Sequence, residues 1–422
     1  MKLFKNASLP TSSTALKRVN ILFEDKISKI STEEITDEDI SEVIDLKGNI
    51  LLPGAIDAHS HIIAEKDPSK SISRISKAAL RGGWTTLAEL SYLNPRPVFD
   101  LEDLNLAKRD ISGNTCVDMA LWGNVNIDDY PYYADAAQEI WAEGVVGIAL
   151  MNPSPNDAIS PLTFTEIMDL FMDIYESDTA FAFQGWDRKA SKTYSFESQR
   201  DAIKKILRRM QENPIHIPRV ASFATIEFIN SISKRSDISF SMNISDLMET
   251  YSGISQELQT DLAENKDDLF TLIRTNKIYM LSNNVESASV PAGLSEAFRG
   301  TGEELLPYSY LWALSELWKK RRVPLATVIK MTSENAAKRL GIYPEKGCLA
   351  VGSDADFVVY DPNQGSVFKA PDGSEHQLEG SIKSVYLRGR KVLDKGKTTP
   401  AAGIFLTRKT NPKRRHNKTT WI

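Results

Sequence analysis

The chain has 422 residues, of which 41% are hydrophobic and 25% are charged, and its formal net charge is −5. This length allows a large buried core, and the composition is ordinary for a globular protein. The weak negative charge argues against nucleic-acid binding, no apolar run is long enough to span a bilayer, and the two distant cysteines argue against a disulfide framework. We therefore expect a cytoplasmic protein that binds neither nucleic acid nor membrane.

The predicted elements begin and end with short alternating strands, over residues 18–43 and 348–395. Between these regions, apolar or β-branched runs alternate with segments of helical periodicity. Eight such runs lie near 51–56, 84–90, 116–122, 145–151, 180–184, 215–222, 237–243 and 277–282. Eight βα units predict a (β/α)8 TIM barrel, an α/β fold whose functional residues lie where the strands end.

The end of the first run carries the most distinctive pattern, LLPGAIDAHSH from Leu51 to His61. Residues two apart in a strand share a face, so Asp57, His59 and His61 should point the same way. Two imidazoles side by side form half of a metal site. The structural alternative is that the histidines are satisfied within the core and that Asp57 orients a histidine or caps the strand end.

Together with this pattern, several segments resemble the amidohydrolase superfamily, in its dihydroorotase, hydantoinase and allantoinase branch. They read AALRGGWTT at 78–86, VDMALWG at 117–123, EGVVG at 143–147 and TSENAAKRLG at 332–341, followed by return strands between 346 and 362. The sequence of the third strand, at 117–123, and the segment GEELLP at 302–307 are most similar to allantoinases. The resemblance implies a lineage that hydrolyses the C–N bond of cyclic amides.

The same resemblance implies a TIM barrel beside a small β-sandwich domain assembled from both chain ends. We assign residues 1–50 and 345–405 to the sandwich, 51–344 to the barrel and 406–422 to a basic C-terminal tail. The tail is expected to be a solvated terminus rather than a binding arm.

Family members hold two metal ions, and the resemblance identifies the corresponding positions here. The carboxylated lysine that ends the fourth strand corresponds to Ala149, and the fifth-strand histidine corresponds to Gln184. In the sixth strand His216 is kept, but the ligating histidine is replaced by Arg219, which has no lone pair to donate. The eighth-strand aspartate, which is ligand and base in the family, corresponds to Asn283, and an amide cannot act as a general base.

The sequence therefore predicts either no cofactor or a single zinc ion at low occupancy on His59 and His61. Only five histidines are present, and His376 and His416 lie in the sandwich and the tail. The leading hypothesis is a catalytically impaired or inactive homologue of cyclic amidohydrolases. One alternative is an active mononuclear zinc enzyme, and another is a small-molecule-binding, regulatory or scaffolding partner of an active homologue.

The substrate side of the site is also altered relative to the family. Dihydroorotase relatives carry a substrate-binding arginine where this chain has Ile63. Asn94 resembles a family substrate-binding asparagine, although an asparagine before proline is also ordinary turn chemistry. With Asn283 and Arg219, it is a candidate for binding a small molecule at the barrel mouth. The chain is further expected to form a homo-oligomer or a complex with an active paralogue.

Overall fold

The computed structural model describes residues 1–409 apart from 12–14, 38, 64–66, 91–96, 155, 157–158, 175–178, 209–212, 233–236, 249–254, 287–301, 371–372 and 401. The first five strands are β1 (Lys2–Pro10), β2 (Leu16–Phe23), β3 (Ile27–Ser31), β4 (Glu42–Asp45) and β5 (Ile50–Pro53). They all belong to one sheet, in which β1 pairs with β2, β4 and β5.

The barrel strands follow in chain order and are parallel. They are β6 (Ala55–His61), β7 (Trp84–Glu89), β8 (Asp118–Leu121), β9 (Gly123–Asn124), β10 (Ile148–Asn152), β11 (Phe181–Gly185), β12 (Ile215–Ile217), β13 (Ile238–Asn243), β14 (Met280–Ser282) and β15 (Val285–Glu286).

We call each of the eight strand positions around the barrel a stave. The third and eighth staves each consist of two short strands, and these two staves link the parallel sheets into a closed barrel. The third stave pairs with β7 through β8 and with β10 through β9. The eighth pairs with β13 through β14, and β15 then returns to β6, with Val285 opposite Ser60. The predicted (β/α)8 barrel is therefore confirmed in the described part of the chain.

Helices cover the outside of the barrel. They are α1 (Pro68–Arg81), α2 (Leu101–Ile111), α3 (Tyr133–Ala142), α4 (Phe164–Asp173), α5 (Phe196–Leu207), α6 (Phe223–Ile232), α7 (Ile244–Leu247), α8 (Gln256–Arg274), α9 (Leu306–Ala313), α10 (Leu325–Ile329) and α11 (Asn335–Arg339). The helices α9 and α10 continue into π-helical turns at Leu314–Lys320 and Lys330–Glu334, and a 3₁₀ turn lies at Ile127–Asp129.

The last strands complete the sandwich domain, as expected from the resemblance. They are β16 (Phe357–Asp361), β17 (Ser366–Lys369), β18 (Glu375–Leu378), β19 (Ser381–Leu387), β20 (Arg390–Asp394) and β21 (Lys397–Thr398). Strand β16 pairs antiparallel with β5, which joins both chain ends in one nine-stranded sheet. An aromatic cluster of Phe4, Phe23, Phe357 and Tyr386 packs on this sheet, with ring centroids 4.5–6.3 Å apart.

The sequence predicted a single barrel strand over the apolar run at 51–56, and this prediction is wrong. Its first part, within β5, pairs with β16 and β1 of the sandwich, and the barrel strand begins only at Ala55. The division falls at Gly54, where a Cβ atom would collide with the side chain of Thr85. Hydrophobicity alone could not reveal this change of sheet, because both halves are fully buried. The proposed domain bounds stay predictions.

Two other predicted strands are shorter or interrupted. The run at 215–222 forms a strand only over Ile215–Ile217, because Pro218 lacks an N–H group and Arg219 adopts a left-handed backbone with φ of 49°. The run at 116–122 stops at Leu121 and changes partner beyond Trp122. Both interruptions occur at the barrel mouth.

The interior of the barrel is lined by small side chains. Ala58, Ala88, Ala120, Ala149 and Ala182 belong to one buried cluster, which also contains the large ring of Trp122. TIM-barrel interiors are usually filled by branched aliphatic residues. The alanines leave space across the axis that bulkier groups on other strands must fill.

A buried ionic cluster ties the barrel to the sandwich. The Lys346 ammonium group lies 2.5, 2.8 and 2.7 Å from carboxylate oxygens of Asp118, Asp354 and Asp356. Arg388 of the sandwich also bonds to Asp118. Despite its burial, Lys346 has a raised pKa because the three carboxylates favour the charged amine. The group therefore stays ionised where the two domains meet.

The remaining global expectations concern cysteines and membranes. Cys116 and Cys348 are buried and unbridged, as expected. Among the described helices, none combines the length and apolar character required to cross a bilayer.

Candidate functional site

His59 lies at the centre of a stack of rings across the barrel. Its imidazole is stacked between Trp122 and His216, with centroid distances of 5.2 and 4.7 Å. The three rings come from the first, third and sixth staves, and they fill the space that the interior alanines leave. Both faces of the His59 ring are thus covered, and only its edges can form polar contacts.

Both ring nitrogens of His59 are fully buried, and among the described residues neither has a hydrogen-bond partner. Burial lowers its pKa well below the usual value, and the neighbouring His61 lowers it further. The ring is therefore neutral, with one nitrogen able to accept and the other able to donate. An orphaned polar group of this kind costs about 1–3 kcal/mol unless something binds it.

His61, in contrast, is fully engaged by the protein. Its Nδ1–H donates to the Leu90 carbonyl at 2.7 Å, and Nε2 lies 2.9 Å from the side-chain amide of Asn284. Burial lowers the pKa of His61 to about 4, so Nε2 carries no proton at neutral pH. The structure places Oδ1 of Asn284 beside Nε2. Because an unprotonated Nε2 can only accept, we assign the Asn284 amide in the flipped orientation, with its NH₂ group toward Nε2. A metal ion on Nε2 would have to displace this bond.

Asp57 closes the barrel. Its carboxylate accepts hydrogen bonds from the Ser282 hydroxyl, from the Asn283 N–H at 2.9 Å and from the Asn284 N–H at 3.4 Å. It also accepts one from the hydroxyl of Ser60 at 3.1 Å. Burial raises the pKa of Asp57, opposed by these donors. The residue joins the first stave to the eighth, which agrees with the structural reading of the sequence pattern.

Arg219 is buried beside a carboxylate rather than open to the mouth. Its Nη2 lies 3.7 Å from Oδ1 of Asp246 at the start of α7, and both side chains are 4% exposed. The backbone carbonyl of Arg219 accepts from Gln199 at 3.1 Å. The positive charge that stands at the family's metal-ligand position thus has an internal counter-ion.

The other replaced ligand positions also lie in the core. Ala149 and Gln184 are both buried, on β10 and β11. The two nitrogens of His216 face the hydroxyls of Ser239 at 2.7 Å and Ser241 at 3.3 Å. His216 is therefore a hydrogen-bonded member of the ring stack.

Of the remaining candidates, one is described and one is not. Asn283 is fully buried, and neither polar atom of its side-chain amide has a hydrogen-bond partner in the part of the chain that the structure describes. Ile63, at the family's arginine position, is also buried. Asn94 lies outside the described residues.

The donor set does not fit a binuclear metal centre. In the described ranges, one group of three His, Cys, Asp or Glu ligand atoms lies within 4.8 Å of one another, and it comprises Asp118, Asp354 and Asp356. The Lys346 ammonium group already neutralises that group. Within the same ranges, no third donor of these types joins His59 and His61.

Sequence reasoning missed three residues that shape the site. Glu89 accepts from the backbone N–H groups of Ile62 and Ile63, at 2.9 and 3.1 Å, and so holds the chain that follows His61. Asn284 binds His61, and Trp122 stacks on His59. Glu89 could have been recognised as a carboxylate at the end of the second predicted strand, but the other two contacts join distant parts of the chain.

Known proteins resemble this chain over nearly its whole length. An L-hydantoinase from Paenarthrobacter aurescens is 24% identical over 459 residues, covering 96% of this chain and 97% of the relative. A dihydroorotase from Aquifex aeolicus is 24% identical, with 82% and 85% covered, and a probable allantoinase 2 from Dictyostelium discoideum is 22% identical, with 82% and 79% covered. The family model described as amidohydrolase family matches residues 282–392.

The solved structures agree on the fold. The L-hydantoinase from Arthrobacter aurescens superposes with a TM-score of 0.80 at 22% identity, covering 96% of this chain and 99% of that one. The chain carries an amidohydrolase family domain, and its relatives and structural neighbours support the branch of hydantoinases, allantoinases and dihydroorotases. The predicted resemblance and the predicted barrel-and-sandwich fold are therefore confirmed.

Proposed function

We propose that this member of the cyclic-amidohydrolase lineage has lost most or all hydrolytic activity. The observation that carries the proposal is the donor set at the barrel mouth. Within the described residues, His59 and His61 have no third His, Cys, Asp or Glu donor beside them. Hydrolysis in this lineage relies on a metal-activated water and a carboxylate base, and the base position holds the amide of Asn283.

Arg219 supports the same proposal. Where the family places a metal-binding histidine, this chain buries a guanidinium group 3.7 Å from Asp246. A cation at that position repels a metal ion, and it cannot be deprotonated to become a ligand. The ion pair supplies charge balance at a site where the relatives use metal.

The second candidate is an active hydrolase with one weakly held zinc ion on His59 and His61. The unpartnered nitrogens of His59 favour it, because a buried imidazole without a partner can serve as a ligand. Against this candidate, a zinc ion on Nε2 of His61 would have to displace the hydrogen bond between His61 and Asn284. A third role, as a small-molecule-binding or regulatory partner of an active homologue, needs no metal and would use the amide of Asn283.

The deciding experiment combines metal content with turnover. The full chain is expressed with excess zinc, and metal is measured by elemental analysis beside assays on hydantoin, dihydroorotate and allantoin. We expect at most one metal ion per chain and no turnover above background. Two tightly held ions, or chelator-sensitive turnover at ordinary enzyme rates, would overturn the proposal.

A restoring variant is the matched control. Ala149→Lys, Gln184→His, Arg219→His and Asn283→Asp together return the family's ligands, and zinc content should rise above that of the unmodified chain. Arg219→His alone removes the counter-ion of Asp246 without completing a metal site. If metal binds the combined variant, the Arg219→His single variant should therefore be less stable than the combined one. Unchanged zinc content in a folded combined variant would contradict the proposed positions.

The proposed loss of activity also bears on assembly. We propose that the chain works as a homo-oligomer or in a complex with an active paralogue. Light scattering of the purified chain at micromolar concentration, with affinity capture of paralogues, tests this point. A sharp monomer that captures no paralogue would rule out both forms.

A further inference from the structure

The third and fourth βα units form an unusually acidic surface. Residues 111–187 contain thirteen Asp and Glu residues and no Lys, Arg or His. Asp135 and Glu139 are exposed one turn apart on α3, and Asp169 and Asp173 are exposed one turn apart on α4. Among the described residues, none of these four carboxylates has an ion-pair partner.

The same surface exposes large apolar groups. Tyr130 and Tyr132 are 70% and 71% exposed just before α3, and Met172 is 66% exposed on α4. Burial raises the pKa of Tyr133 at the start of α3, and the carboxylates of Asp173 and Asp169 on α4 raise it further. We call these residues the acidic face, consisting of Tyr130, Tyr132, Asp135, Glu139, Asp169, Met172 and Asp173.

The C-terminal segment already contacts the far end of α3. The Arg408 N–H donates to the Gly144 carbonyl at 2.9 Å, and its guanidinium lies 3.5 Å from the ring centroid of Trp141. Its Nη2 also donates to the Trp141 carbonyl at 2.9 Å. The segment that follows Lys409 therefore begins beside the C-terminal end of α3, the helix that carries part of the acidic face.

The remaining tail, residues 410–422, matches the acidic face in chemistry. It reads TNPKRRHNKTTWI, with four Lys and Arg residues, no acid and an apolar end at Trp421 and Ile422. Cations match the carboxylates of α3 and α4, and the final two residues match the exposed tyrosines and methionine. The tail and the acidic face are therefore complementary both in charge and in their apolar groups.

The tail is also long enough. Helix α3 has ten residues, which corresponds to about 15 Å. Thirteen extended residues span up to about 43 Å, so the tail reaches the start of α3 with slack. Because both partners belong to one chain, the short tether gives an effective concentration on the order of millimolar.

We propose that the basic tail, residues 410–422, docks in cis on the acidic face of α3 and α4. The interaction continues the contact of Arg408 with Trp141 and neutralises carboxylates that lack partners elsewhere in the described ranges. The face is then occupied from within the chain and closed to other basic partners. The sequence alone had favoured a solvated tail, because it does not show where the chain leaves the barrel.

Limited trypsin digestion of the full chain tests the proposal, since Lys413, Arg414 and Arg415 are cleavage sites. At low salt we expect cleavage to be on the order of tenfold slower than in a variant whose acidic face is neutralised. High salt should remove the protection because it screens exposed charges. The face variant carries Asp135→Asn, Glu139→Gln, Asp169→Asn and Asp173→Asn.

A matched control neutralises four exposed carboxylates of the sandwich domain, and it should keep the protection of the unmodified chain. It carries Glu24→Gln, Asp25→Asn, Glu33→Gln and Glu42→Gln. Equal cleavage rates in all three proteins at low salt would overturn the proposal. Protection that survives in the face variant, or that depends on protein concentration, would also overturn it, because the tail would then bind another surface or another copy.

Discussion

At the scale of single residues, packing and hydrogen bonding hold the polar side chains at the end of β6. His59 is held by ring stacking, and His61 by a carbonyl and an amide. Asp57, earlier on β6, accepts a hydrogen bond from Asn283 of the eighth stave. The residues that look most catalytic in the sequence therefore hold the barrel together in this structure.

Asp57→Ala should destabilise the fold. The substitution removes the acceptor of two hydroxyl and two backbone donors, and buried donors without a partner are costly. We expect the free energy of unfolding in urea to fall by about 3 kcal/mol. Asp57→Asn keeps one acceptor oxygen and should cost less. Equal stability of the alanine variant and the unmodified chain would show that the carboxylate does not close the barrel.

The Arg219–Asp246 pair should show strong coupling. Arg219→Met removes the guanidinium group that lies 3.7 Å from the buried carboxylate of Asp246, so the free energy of unfolding should fall by about 3–5 kcal/mol. Adding Asp246→Leu should recover much of the loss, because no buried charge then remains. A double-mutant cycle measures the coupling, and strictly additive single effects would contradict it.

At the scale of elements, the third stave depends on the C-terminal segment. The Met119 N–H donates to the Ile404 carbonyl at 2.9 Å, and the Met119 carbonyl accepts from Leu406 at 2.7 Å. The Ile404 N–H also donates to Asp118 at 3.0 Å. Strand β8 thus pairs with a segment more than 280 residues away in sequence, whereas the second half of the third stave, β9, pairs with β10.

Ending the chain at Pro400 should therefore loosen this part of the barrel. It removes the partners of Met119, so the amide of Met119 should exchange with solvent faster and the free energy of unfolding should fall by about 2–4 kcal/mol. Ending the chain at Lys409 keeps these contacts and should preserve both quantities. Equal exchange at Met119 in the two truncated chains would contradict the role of the segment.

At the scale of the whole molecule, three buried neutral histidines should make stability depend on pH. Burial lowers the pKa of His61 to about 4 and holds those of His59 and His216 well below their usual value. In the unfolded chain each would titrate near about 6.5. Between these values the unfolded chain binds more protons, so stability falls as pH decreases below about 6.5.

The contribution of His61 alone amounts to about 3 kcal/mol by pH 4. Burial raises the pKa of Asp57, which acts in the opposite direction, so the test compares the slope of stability against pH between two proteins. His216→Asn should have a shallower slope than the unmodified chain from pH 7.5 to 5. Identical slopes would mean that the pKa of His216 is the same in the folded and the unfolded chain.

The sequence by itself determined the family, the strand-helix alternation and the loss of metal-type side chains. These features are local: a period of two or 3.6 residues, a motif in one segment, or the presence of a residue type. The replacement of ligands at Ala149, Gln184, Arg219 and Asn283 could be read because the barrel places strand ends at one mouth. The division of 51–56 between two sheets escaped, since both halves are equally apolar.

The tertiary structure decided which groups meet. The stack of Trp122, His59 and His216, the pairing of Arg219 with Asp246, and the seat of Lys346 among three aspartates each join residues far apart in sequence. No local pattern encodes such contacts, because they depend on which side chains fill the same space once the barrel closes. In the closed barrel, His59 is stacked between two rings and His61 is hydrogen-bonded, although their spacing in the sequence is that of a metal-ligand pair.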